Sequence, residues 1–181
     1  MMKDFSWHEF RPSIIFLVKF IGLYLAGNLL YGFFITAYEP RPDPVTHVVA
    51  VHSAQVLNYL GETVTTRDGD KKPITSLLSE NQAILDIYEG CNGINVAIIF
   101  LAFIVAFGPF KWRMLWFSLV GMVIIHLTNL GRIVLLFVIA RYHPDYMYFM
   151  HKYFFTAVIY FAVFVLWLFW VKLFSIKKSA T

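Results

Sequence analysis

The chain has 181 residues, of which 59% are hydrophobic, 19% aromatic and only 14% charged. With a mean hydropathy of +0.66, it falls outside the range of soluble domains and reads as a multi-pass membrane protein. Its formal net charge of +4 does not call for nucleic acid, because the basic residues cluster at the ends of apolar stretches, where membrane orientation requires them. The single cysteine, Cys91, excludes an internal disulfide, and no CxxC or Cys/His cluster implies zinc or another metal cofactor.

A helix needs about 20 apolar residues to cross a bilayer, and four stretches are candidates. The first is Ser13 to Ala37. It lacks a small-residue cleavage pattern and carries Lys19 near its start, so it reads as a retained anchor. The others are Gly93 to Phe107, ended by Gly108-Pro109, then Trp112 to Leu130, and Tyr153 to Trp170. Gly22, Gly27 and Gly32 suit close helix packing in the first. Lys3, Arg11 and Lys19, then Lys111 and Arg113, then Lys172, Lys177 and Lys178 all fall on one side if both termini are cytoplasmic. Residues 38–90 then lie outside, and they are net acidic. The expected architecture is an all-α polytopic bundle of about four transmembrane helices plus an interfacial helix, forming one domain over residues 1–181.

The exterior segment is patterned. Asp43-Pro44 is an N-cap followed by proline at the first helical position. Val45, Val48, Val49, His52, Val56 and Tyr59 recur at helical spacing, with Gly61 to close, predicting an amphipathic helix that lies on the membrane or roofs the bundle. Thr63 to Thr66 is β-prone and Arg67-Asp68-Gly69-Asp70 is a turn, so a small hairpin is expected there. Ala83 to Tyr88 reads as an extended lead into Cys91. Further on, Ile133 to Ala140 is apolar but too short to span. It predicts an interfacial or partly re-entrant helix, with a bent continuation of the third span as the alternative.

This topology brings Cys91, Arg132 and His151 to one membrane face, each at an outer end of a span. Ionisable residues so placed are default functional candidates. A thiol is a strong nucleophile as thiolate, and a helix start lowers its pKa, while Glu89 opposes that unless it pairs with Arg132. A neutral imidazole at His151 can take the thiol proton and later protonate a leaving amine. Arg132 keeps its proton, so it is read as a donor to an oxyanion or to a substrate carboxylate. Asn129, one turn away, orients Arg132 or the substrate. His143 is a rival base in a loop, and His126 reads as a buried hydrogen-bonding residue. His47 and His52 are assigned to the amphipathic helix, being poorly spaced for a metal. A lone cysteine is often an inert apolar residue and a terminal arginine often a snorkelling one, so a non-enzymatic assembly or transport factor stays open, as does a membrane acyltransferase.

Leu85-Asp86-Ile87-Tyr88-Glu89-Gly90-Cys91-Asn92-Gly93-Ile94 resembles the cysteine segment of the exosortase/archaeosortase family. Asn129-Leu130-Gly131-Arg132-Ile133 resembles its Asn-x-x-Arg segment, and Met150-His151 its histidine before the last apolar helix. Order and spacing agree over Leu85 to Trp170, and the short chain is similar to the compact subtype called exosortase F. Departures are Asn92, where the family more often has Ser or Thr, Asn95, where it frequently has Arg, and Lys152, where Asp often follows the histidine. The resemblance implies a cofactor-free cysteine transpeptidase of the bacterial plasma membrane. Its substrate would be an exported protein with a C-terminal motif, a transmembrane helix and a basic tail, cleaved on the outer side by attack of Cys91.

Overall fold

A computed structural model describes residues 7–108 and 110–175. Lys3, Pro109, Lys177 and Lys178, named above, lie outside the described residues. Among the described residues, three helical segments are long and apolar enough to cross a membrane: Phe10–Thr36, Trp112–Tyr142 and Pro144–Leu173. A fourth apolar helix, Ile94–Phe107, is shorter. This is a polytopic helical membrane protein with one small sheet.

The first span, α1 (Trp7–Thr36), leaves most of its apolar side chains on the surface, as a lipid-facing helix does. It packs chiefly on α3 (Ile94–Phe107). Gly27 makes the closest approach, since a Cβ there would stand 2.7 Å from Ile98 Cγ2, whereas Gly22 and Gly32 face open space.

Between α1 and α3 the chain builds a cap. Helix α2 (Pro44–Tyr59) starts as its sequence predicts: the Asp43 carboxylate accepts from Val45 N at 2.9 Å and Thr46 N at 3.1 Å. Its buried face differs from the predicted one. Thr46, Val49, Ala50, Ser53, Ala54 and Leu57 are buried, while Val48, Val56 and Tyr59 are exposed. The buried stripe joins Val49 and Leu57 to the small or polar Thr46, Ala50, Ser53 and Ala54, so it is turned away from the stripe that apolar periodicity picked out. The predicted hairpin is present as β1 (Thr65–Asp68) and β2 (Ile74–Ser79), and the extended lead is a third strand, β3 (Gln82–Tyr88). The strands form an antiparallel meander, β1-β2-β3, with Thr65 opposite Leu78 and Ile74 opposite Tyr88. Glu80 and Asn81 turn the second hairpin with φ of 52° and 65°, the left-handed pair that a two-residue hairpin needs.

Helix α4 (Trp112–Tyr142) overturns one expectation. It is a single helix of 31 residues, with no separate interfacial helix over Ile133 to Ala140. At about 1.5 Å per residue it is about 46 Å long, well beyond the roughly 30 Å of a hydrocarbon core. The excess has a protein partner in place of lipid. Ile133, Val134 and Phe137 are buried in the cap core with Val49, Leu57, Leu77 and Ile87. Arg141 pins its far end, donating to Glu62 at 2.9 Å, to Ser79 and to Glu80 at 3.3 Å.

The other half of α4 belongs to a second core. Met114 and Ile125 pack with Val96, Phe100 and Ile104 of α3 and with Ile159, Val163 and Trp170 of the last helix, α6 (Phe155–Ser175). A glycine sits at this contact: a Cβ on Gly121 would run into the ring of the fully buried Phe100. Gly121→Ala should therefore destabilise the bundle by about 1–3 kcal/mol, read as a lowered thermal midpoint in detergent. Between Tyr142 and α6 come a 3-10 turn (Pro144–Tyr146), a short helical turn α5 (Met147–Phe149) and a wide π-type turn (Met150–Phe154).

Candidate active site

Cys91 ends a short 3-10 turn, Glu89–Cys91, that joins β3 to α3. It is a free thiol, 4% exposed, and it belongs to the cap core where that core meets the bundle. The turn is tied down from three directions. Asn129 of α4, itself 0% exposed, donates from Nδ2 to the Cys91 carbonyl at 2.9 Å. Asn92 donates to the Tyr31 hydroxyl of α1 at 2.6 Å and to Thr46 Oγ1 of α2 at 3.0 Å, and accepts from Ile94 N at 3.0 Å. Thr46 in turn donates to the buried Asp43 carboxylate. Gly93 follows with φ of +86°, and a Cβ there would press on Asn129 Cγ at 3.3 Å. Two requirements, a left-handed backbone and close approach of Asn129, thus select glycine.

Two side chains from later helices reach the sulfur. His151 Nε2 stands 3.7 Å from Cys91 Sγ, and Arg132 Nη2 stands 3.9 Å from it. Arg132 lies on α4 one turn beyond Asn129. His151 lies in the wide turn before α6. The structure therefore brings Cys91, Arg132 and His151 together from elements far apart in sequence.

The model of the family described as transmembrane exosortase matches residues 7–170. The chain belongs to the transmembrane exosortase family. No curated protein matches it, and no solved structure does. The matched span includes Glu89, Cys91, Asn129, Arg132 and His151, and it runs from α1 into α6.

The electrostatics at the thiol of this family member differ from the expectation at one point. Burial pushes the Cys91 thiol up from its ordinary value. The Arg132 charge and the Tyr88 side chain pull it back without reversing the shift. Cys91 precedes the N-cap Gly93 in a separate turn, so it does not occupy the first turn of α3 that the helix-start argument assumed. Glu89 is half-buried and makes no ion pair with Arg132. Arg132 Nε and Asn129 Oδ1 are buried without hydrogen-bond partners. An acceptor and a donor thus stand unused one turn apart beside the thiol.

Tyr88 is a neighbour that the sequence reading passed over as part of the strand. Its side chain interacts with the Cys91 thiol, and its own phenol is pushed up, first by the charge of the Cys91 thiolate and then by burial. It therefore stays protonated and able to donate. Its place at the end of β3, three residues before Cys91, was the available signal. His143 is exposed and meets Tyr146 edge-on, remote from this arrangement in its contacts. His126 is half-buried and pairs with His52 across α4 and α2, Nε2 to Nδ1 at 3.2 Å. His47 instead pairs with Asp68. Among the described residues no group of three or more His, Cys, Asp or Glu could hold a metal.

Proposed function

We propose that this exosortase is a membrane cysteine transpeptidase that cleaves C-terminal sorting signals of exported proteins, with Cys91 as nucleophile, His151 as base and acid, and Arg132 as the oxyanion donor. The observation that carries the reading is the thiol itself. It lies within 4 Å of an imidazole nitrogen and of a guanidinium nitrogen, held by a loop bonded to α1, α2 and α4.

The steps follow from these positions. His151 Nε2 accepts the Sγ proton as Sγ attacks the scissile carbonyl, so a buried thiol with a raised pKa becomes reactive only when a base is in contact. The carbonyl oxygen takes up negative charge beside Arg132, with Tyr88 as a second donor. Collapse breaks the C–N bond, and the His151 imidazolium gives its proton to the departing amine. That amine belongs to the fragment carrying the transmembrane helix and basic tail. The thioester left on Cys91 is then resolved by an amine or hydroxyl acceptor, whose proton returns to His151. Asn129 orients the site by holding the Cys91 carbonyl. The Glu89 charge adds to that of the thiolate in keeping Tyr88 protonated.

The fold supports a membrane-level site. α3 has 14 residues, about 21 Å, so it falls roughly 9 Å short of a hydrocarbon core and recesses Cys91 toward lipid depth. A substrate helix packed beside the bundle would present its junction at that level, and tethering in the membrane supplies much of the proximity. Arg11, Lys111, Arg113 and Lys172 belong to the ends of the helices opposite Cys91. By the positive-inside rule we assign those ends to the cytoplasm and the cap to the exterior face of a bacterial plasma membrane, cap and bundle acting as one domain.

The reading is tested by co-expression with exported proteins from the same genome that end in a transmembrane helix and a basic tail. At least one should lose its tail in the presence of the wild-type protein and keep it with Cys91→Ala at equal abundance. Equal processing by both would remove the proposal.

A further inference from the structure

The last span does not begin as a regular α-helix. Over Met150–Phe154 the backbone opens into a wider turn, in which the Phe155 N–H bonds the Met150 carbonyl five residues back. No proline or glycine occurs from Met147 to Ser175 to force this opening. Wide turns of this kind are rare, and the carbonyls they displace need other partners. Here the Thr156 hydroxyl donates to the His151 carbonyl at 3.3 Å. Threonine in a helix ordinarily turns back to the carbonyl four residues earlier. This one reaches five residues back, which the wide turn requires.

The consequence is angular. Phe155, Ile159, Val163, Leu166 and Trp170 form the buried stripe of α6. Extended backwards at about 100° per residue, an unbroken α-helix would set His151 about 80° from the centre of that stripe. A turn closed five residues on rotates less per residue, so the steps from Phe155 back to His151 bring the ring round into the stripe. From Ile159 to Trp170 that stripe packs on α3 and α4, and His151, just before α6, stands with Nε2 3.7 Å from Cys91 Sγ.

We infer that Thr156 is a positioning residue: its hydroxyl holds the wide turn, and the wide turn aims the His151 imidazole at Cys91. The inference rests on the reading of His151 as the base for Cys91. Thr156 itself touches neither the thiol nor a substrate. Its removal should uncouple thiol from imidazole while leaving both residues in place.

The test is the pH profile of Cys91 modification by methyl methanethiosulfonate, a small neutral reagent that leaves a methyl disulfide on the thiol and releases methanesulfinate, followed by intact mass on the full-length protein in detergent. The wild type should show a limb of reactivity at neutral pH that depends on His151, and His151→Ala should lose it by about tenfold. Thr156→Val, which keeps the shape and loses the hydroxyl, should fall close to His151→Ala. Thr156→Ser should stay near the wild type. Thermal midpoints show whether each variant is folded. If His151→Ala loses the limb while Thr156→Val keeps it, the inference is overturned and the base assignment stands. If His151→Ala keeps it, the base assignment falls and takes the inference with it.

Discussion

Cys91→Ala should abolish processing of a helix-tailed substrate, by about 10⁴-fold or more, with no loss of folded protein. The exchange removes only the small sulfur from a core that also holds the buried Ile87, Leu130 and Ile133. The fold should therefore tolerate the change. Cys91→Ser should be nearly as inactive, because a hydroxyl in this buried position is far harder to deprotonate than a thiol. Processing rate and abundance measured together separate an enzyme from an assembly factor, for which the serine variant would be close to neutral. A second consequence concerns stability. Burial holds the folded-state thiol pKa above its unfolded value. That raised pKa stabilises the fold below the unfolded value, and the contribution is lost as pH rises through the folded one. The wild type should thus lose thermal stability on the alkaline side, and Cys91→Ala should lose less.

Arg132→Gln carries the next largest effect, about 10² to 10³-fold in turnover with little change in substrate binding, as expected for a donor used mainly in the transition state. It has a signature independent of substrate. The Arg132 charge is the leading influence opposing burial at Cys91, so its removal should move thiol alkylation to higher pH. Arg132→Lys keeps a charge without the forked donors and should recover part of the alkylation profile but less of the turnover. An unchanged profile in Arg132→Gln would mean that the guanidinium does not act on the thiol.

Much of the fold was legible because local chemistry specified it. The Asp43-Pro44 start of α2, the turn after β1 and the extended run into Cys91 each rest on residue types with one strong preference. Span order pointed to a common level for Cys91, Arg132 and His151, although it took Arg132 for a helix end when it lies inside α4. What escaped the sequence depended on partners distant in the chain. Asn129-Leu130-Gly131-Arg132 reads as a helix end, yet Asn129 is spent on the Cys91 carbonyl and the helix runs on. Ile133 to Ala140 was weighed against lipid, whereas the cap covers it. The buried side of α2 mixes Val49 and Leu57 with Thr46, Ala50, Ser53 and Ala54, a stripe that apolar periodicity alone does not pick out. The raised thiol pKa comes from burial that a helix-start argument ignores. The wide turn at Met150–Phe154 is signalled by no breaker, and only Thr156, five residues from His151, hints at it.

The most direct measurement is a search for the acyl-enzyme. Purified protein in bilayer nanodiscs would be mixed with a processed helix-tailed substrate, with the acceptor withheld, and its intact mass recorded. The account predicts a mass gain equal to the upstream substrate fragment, located on Cys91, released by hydroxylamine and absent from Cys91→Ala. Cleavage that proceeds with Cys91 unmodified, and equally well in Cys91→Ala, would contradict it.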